Sequence, residues 1–186
     1  MKFKVKYPRL IIFFITILIA IVVFHEGRNY VPFHNFLTSW GYFGTFLGGL
    51  FYAYGFTAAP STAVLLVLAE EQNIVLAVLI GGFGALLSDL IIFKFVRYSF
   101  IGEIKELEKE KIIKYFSKKE KTLFGRYYKH IFPTFAGFLI ASPLPTEFGV
   151  TMMANIKTMS IKKFMIIAYL LHSLGILTIF VIGNLI

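Results

Sequence analysis

The sequence predicts an all-α integral membrane protein built as an inverted repeat. Two re-entrant helical hairpins are each followed by a transmembrane helix, with an N-terminal transmembrane helix ahead of them and a cytoplasmic amphipathic helix between them. Three observations carry that prediction. Hydrophobic residues make up 58% of the 186-residue chain and aromatic ones 18%, with a mean hydropathy of +0.76, too apolar for a soluble chain of one-domain length. The basic residues gather in blocks beside apolar segments, the pattern that orients membrane proteins. Two apolar stretches are interrupted by proline, at Pro60 and at Pro143 and Pro145, where an uninterrupted helix is disfavoured.

The whole chain, 1–186, reads as a single membrane domain. Its formal net charge of +9 is accounted for by membrane orientation and anionic headgroups, so no nucleic-acid partner is expected. The absence of cysteine removes disulfides, thiolate metal ligands and thiol nucleophiles from consideration. No metal site and no cofactor are expected.

In chain order, Lys2, Lys4, Lys6 and Arg9 precede an apolar run over residues 10–24. Phe24-His25-Glu26-Gly27-Arg28 is a poor cleavage site, so this is a retained first helix with its amino end in the cytoplasm, lengthened by its flanks to cross a core of about 30 Å. Residues 29–40 mix polar and aromatic side chains, as at the outer interface. Repeat 1 spans 41–97. Its first part contains Pro60, Ser61 and Thr62 and closes at Glu70-Glu71-Gln72-Asn73. A full crossing here would place the Tyr98 to His130 segment outside, with nine Lys or Arg against five Glu, against the positive-inside tendency. Burying Glu70 and Glu71 in a span costs roughly 2.5 kcal/mol or more each. A re-entrant hairpin that turns near Pro60 avoids both. The Ile74 to Phe95 run then crosses inward, carrying Asp89 and ending near Lys94 and Arg97.

The segment 98–126 is basic and cytoplasmic, with an amphipathic surface helix over 102–121. Repeat 2 spans 127–185: a second hairpin from the opposite face, broken at Ser142-Pro143-Leu144-Pro145 and followed by Thr146 and Glu147, and then a final helix from Phe164 to Leu185 with His172. Interrupted hydrophobic segments at corresponding places in opposite orientation point to a transporter site at the midplane. Pro60, Ser61, Thr62, Ser142, Pro143, Pro145 and Thr146 are the expected hairpin tips.

Ionisable residues inside such segments are functional candidates. Glu147 stands first, with Asp89 and His172, as the substrate or proton-coupling set. Thr151 and Asn155 follow Glu147 at i+4 and i+8 and line the cleft. Arg97, Arg126 and Lys129 are candidates for headgroup binding at the cytoplasmic interface. The plainer roles are a helix-end carboxylate for Glu147, pairing with Lys94, Arg97 or Arg126 for Asp89, and a partner in Tyr169 or a carbonyl for His172.

Several stretches resemble the DedA family, also called SNARE-associated Golgi or VTT-domain proteins. They are Gly55-Phe56-Thr57-Ala58-Ala59-Pro60, Gly84-Ala85-Leu86-Leu87-Ser88-Asp89 leading to Arg97, Phe124-Gly125-Arg126-Tyr127-Tyr128, and Met159-Ser160-Ile161-Lys162-Lys163-Phe164. The resemblance covers roughly Gly41 to Ile186. It implies opposed re-entrant hairpins and lipid translocation, flipping of undecaprenyl phosphate or a phospholipid in prokaryotes and scrambling in eukaryotic relatives; a cell membrane of a prokaryote is the expected location, and proton exchange at Glu147 or Asp89 as access alternates is the expected coupling. The chain departs from the family where many members carry an acid after the first proline and arginine after the second; here stand Ser61-Thr62 and Thr146-Glu147. A small-solute or drug exporter of the same architecture and a non-transporting assembly protein are the alternatives. An enzyme is not expected: there is no His-Glu-x-x-His pair and no Gly-x-Ser-x-Gly turn.

Overall fold

The structure, a computed structural model, describes residues 8–99, 134–140, 146–154, 156 and 159–186. The amphipathic helix expected over 102–121, Arg126, Lys129, the break at Ser142, Pro143 and Pro145, and Asn155 lie outside the described residues. Among those described, every regular element is helical: α1 (Pro8–Asn29), α2 (Val31–Ser39), α3 (Gly41–Tyr52), α4 (Ala58–Leu68), α5 (Ile74–Ser99), α6 (residues 134–140), α7 (Thr146–Ala154) and α8 (Ile161–Leu185).

Three of these are long and apolar enough to cross a bilayer, within Ile11–Asn29, Ile74–Tyr98 and Ile161–Leu185. At 1.5 Å per residue the 22, 26 and 25 residues of α1, α5 and α8 reach about 33–39 Å, whereas the 12 residues of α3 reach only about 18 Å. The first helix runs through Asn29, beyond the expected 24, because nothing in His25-Glu26-Gly27-Arg28 stops it. Capping sets the starts of the other two long helices. Asn73 Oδ1 accepts from Val75 and Leu76 N–H at 3.0 and 3.2 Å, and Ser160 Oγ accepts from Lys163 N–H at 3.2 Å, each satisfying donors that a helix start leaves free.

α5 and α8 run antiparallel. Phe93 stacks on Phe164 with centroids 4.1 Å apart, Gly81 faces Ile176, and Arg97 donates to the Met159 carbonyl. α3 and α4 fold back on each other, with Gly48 beside Leu65 and Gly44 beside Leu68. The reversal lies at Ala53–Thr57, three residues before Pro60, which corrects the expected turn at the proline. Thr57 Oγ1 donates to the Phe51 carbonyl at 2.6 Å, and Thr57 and Ala58 N–H donate to the Tyr54 carbonyl at 3.0 and 2.7 Å. Pro60 sits in the first turn of α4, where a missing N–H costs nothing. α6 and α7 form a second antiparallel pair, Gly149 facing Ala136 and Ile140, and Gly137 facing Met153.

The two pairs open toward opposite ends of the bundle. At one end Thr45 donates to Gln72, Arg28 meets Glu70 at 2.8 Å, and Asn184 Nδ2 donates to the Ala69 carbonyl at 2.9 Å. At the other end stand Lys94, Arg97, Lys162 and Lys163. Two apolar clusters fill the two halves. One gathers Phe93, Ile140, Val150, Met153, Phe164 and Ala168, the other Tyr52, Leu65, Ala77, Ile176 and Phe180.

α2 is held at the first end by His34, whose Nδ1 is 2.7 Å from the Gly27 carbonyl and whose Nε2 is 3.2 Å from Glu71 Oε1. Both ring nitrogens face acceptors, and only the imidazolium has a proton for each. The Gly27 carbonyl first, and then the Glu71 carboxylate, raise the His34 pKa above its ordinary 6.5. A raised histidine contributes stability that is complete below about pH 6.5 and is lost as pH rises through the folded-state value. The thermal midpoint in detergent is expected to fall across that window, and His34→Gln is expected to remove that part of the slope. A slope identical in the variant would assign the dependence to other groups.

Candidate functional site

Between the two apolar clusters lies a polar layer near the middle of α5 and α8. Asp89 and His172 are fully buried, and Nε2 of His172 is 2.7 Å from Oδ2 of Asp89. Asp89 is the sixteenth residue of α5 and His172 the twelfth of α8, so each lies a little over half or just under half the way along its helix. Thr146, at the start of α7, brings its hydroxyl 3.2 Å from Asp89 Oδ1 and 2.5 Å from the Ala53 carbonyl. Glu147, the next residue, accepts from Gly55 N–H through Oε1 at 2.8 Å. The turn of the first helical pair and the start of α7 are therefore tied by two hydrogen bonds, side by side with the Asp89–His172 pair.

The physical origin of the layer is local. The 53–57 turn interrupts the α-helical ladder and frees the Ala53 carbonyl and the Gly55 N–H; both need partners in a place without water. Thr146 and Glu147 supply them. Charged and hydrogen-bonded groups inside apolar helices are otherwise expensive. The layer is also incompletely satisfied: Ser88 Oγ, Glu147 Oε2, His172 Nδ1 and Ser173 Oγ are buried atoms without a hydrogen-bond partner among the described residues. Tyr52 packs edge-on against the His172 ring, centroids 6.0 Å apart.

Four of the residues singled out in the sequence, Glu147, Asp89, His172 and Thr146, thus come together. Asp89 pairs with His172, not with Lys94 or Arg97, and the partner of His172 is neither Tyr169 nor a carbonyl. Tyr169 Oη lies instead 3.4 Å from the Leu79 carbonyl. Ser61 and Thr62 stand apart from the layer. Their hydroxyls donate to the Gly48 and Ala58 carbonyls, so neither forms a tip. Thr151 is half-buried, one turn beyond Glu147 on α7. Arg97 lies at the basic end, its guanidinium 5.4 Å from the Phe93 ring centroid. The backbone groups of Ala53 and Gly55, and Tyr52, were not foreseen; no side-chain pattern announces a freed carbonyl.

A second feature is a groove of ≈ 400 Å³ between α2, α3 and α4, running from Phe36 and Trp40 past Leu47, Phe51 and Val64 to Pro60 and Thr57. Its lining is almost wholly apolar, and the hydroxyls of Thr57 and Ser61 are turned to backbone carbonyls. It ends two residues from Gly55.

Together these features define an all-helical membrane architecture, three of its helices able to cross a bilayer, with a buried acid–histidine layer at mid-span. Compared with family models, curated proteins and solved structures, the chain matches none.

Proposed function

We propose that the chain is a membrane transporter of the DedA type that moves a lipid headgroup across the bilayer through the Asp89–His172–Thr146–Glu147 layer, with protons as the coupling ion. The reading treats the α3–α4 and α6–α7 pairs as re-entrant hairpins from opposite faces. The observation that carries it is the meeting of two short helical pairs, opening toward opposite ends, at an acid–histidine pair inside apolar helices; broken backbone at that depth is tolerated where it lines a cavity or is covered by protein. On this reading the positive-inside tendency, with Lys94, Arg97, Lys162 and Lys163 at one end of the bundle, favours a cytoplasmic side for that end and for the start of α1.

A lipid is favoured over a soluble solute by the apolar groove beside the tip, which suits an acyl chain. The headgroup favoured is one that bears an ammonium group. The unpartnered oxygen of Glu147, when ionised, attracts a cation and repels a bare phosphate, and Glu147 stands after the second proline break, where many family members carry arginine.

The test is reconstitution of the full chain in vesicles with fluorescent lipids bearing either an ammonium or a phosphoglycerol headgroup, read by quenching from outside. The ammonium lipid is expected to cross faster. Glu147→Gln is expected to slow it about tenfold or more, the loss of one hydrogen bond to a charged group. Equal rates with and without protein would remove lipid from the reading and leave a small solute as cargo.

A further inference from the structure

We propose that Nδ1 of His172 is the atom through which the buried pair takes up and releases its proton, with Asp89 as the fixed counter-charge. This deepens the translocation reading and rests on it for the purpose of the proton, but the site itself is argued from geometry.

A carboxylate oxygen accepts, so Nε2 of His172, 2.7 Å from Asp89 Oδ2, carries the hydrogen. A neutral imidazole has one N–H, which leaves Nδ1 as a bare lone pair. That atom is buried and has no hydrogen-bond partner among the described residues. With Nε2 engaged by Asp89, Nδ1 is the one basic site left on the ring, and the carboxylate across the ring offsets the charge that a proton there creates. On uptake the proton bonds to Nδ1, the ring becomes an imidazolium with both nitrogens protonated, and the pair changes from net negative to net neutral. On release the Nδ1–H bond breaks and the pair returns to a carboxylate facing a neutral ring. The same orientation of a histidine by an aspartate sets the tautomer in acyl-transfer triads.

The remaining groups around the pair come from each neighbouring helix. α7 supplies Thr146, with its hydroxyl between Asp89 Oδ1 and the Ala53 carbonyl, and Glu147, which interacts electrostatically with Asp89. α3 supplies Tyr52 against the ring. α5 and α8 supply Ser88 and Ser173 as unpartnered hydroxyls. Among these, Asp89 is the one carboxylate hydrogen-bonded to the ring. Neither serine is hydrogen-bonded to the ring, which distinguishes the cluster from a nucleophile with its base.

The chain holds four histidines, so ¹⁵N-histidine labelling in lipid nanodiscs resolves them. Replacing His25, His34 and His130 by glutamine leaves His172 as the single signal. Subtracting the spectrum of His172→Gln from that of the native chain gives the same signal if the triple variant fails to fold. At the alkaline end of about pH 5 to 8 the expected spectrum has a protonated Nε2 and an unprotonated Nδ1; acidification protonates Nδ1 in one step. Asp89→Asn is expected to lower that proton affinity about tenfold or more, one pKa unit. A His172 with hydrogen on Nδ1 and not on Nε2 at the alkaline end, or a signal unchanged across the range, overturns the proposal. A titrating His172 in a chain that moves no lipid in vesicles keeps the proton site and removes the cargo reading; lipid movement with a silent His172 does the reverse.

Discussion

Gly49→Ala is expected to destabilise the fold by about 2 kcal/mol or more, while Gly48→Ala, one residue earlier on the same helix, changes stability by no more than about 0.5 kcal/mol. The two substitutions add the same methyl group and gain the same helix propensity, so the difference isolates what the methyl meets. At Gly49 it meets the backbone of Gly81 on α5, overlapping the carbonyl oxygen and lying 2.6 Å from its carbon. Backbone cannot rotate away, so α3 and α5 must separate. Gly84 presents the same situation from the other helix, against the Phe46 carbonyl and the Leu50 nitrogen. At Gly48 the methyl meets Leu65, 2.7 Å from Cδ2 and 3.1 Å from Cγ, a side chain that can shift by tenths of an ångström where backbone cannot. Small residues that let backbones touch are the main source of helix association where lipid replaces water. Unfolding in mixed micelles by a denaturing detergent measures both. Equal effects at the two positions would mean that α3 and α5 are not in backbone contact.

How much of this was legible in the sequence follows from what makes a residue conspicuous. Asp89, Glu147 and His172 stand out because an ionisable group in an apolar run is costly, and all three end in one layer. Their pairing was not legible. Asp89 and His172 are 83 positions apart, and the α5–α8 register is decided by shape, through Phe93 on Phe164 and Gly82 against Ser173. The turn between α3 and α4 falls ahead of the expected position near Pro60 for a definite reason. Proline signals a break in helix interiors, yet Pro60 lies within a first turn that tolerates it, and the reversal is made by Ala53–Thr57, where Thr57 donates to the Phe51 carbonyl. Ser61 and Thr62 were drawn into the site by the same error.

The largest separation between stability and function is expected at the Asp89–His172 pair. His172→Leu alone leaves a buried carboxylate without its partner, and Asp89→Leu alone leaves a buried N–H without one; each is expected to cost about 3 kcal/mol, the lower figure for breaking a buried pair. Replacing both by leucine removes the unmet groups together, and such replacements are neutral or stabilising. The coupling energy from this double-mutant cycle decides what the pair is. Hydrogen bonds between neutral groups within membranes couple by about 0.6 kcal/mol and at most about 1.7, so a coupling above about 2 kcal/mol marks an interaction in which charge takes part. The double variant is then expected to unfold at the same detergent fraction as the native chain and to move no lipid in vesicles. If it moves lipid at the native rate, the pair is packing and the polar layer has another purpose. Well-packed apolar replacements of a buried pair are often as stable as the pair itself, so packing of α5 on α8 does not by itself call for an acid and a histidine; on the proposed reading, what the pair adds is a place at mid-span where a proton is held against a fixed partner and let go.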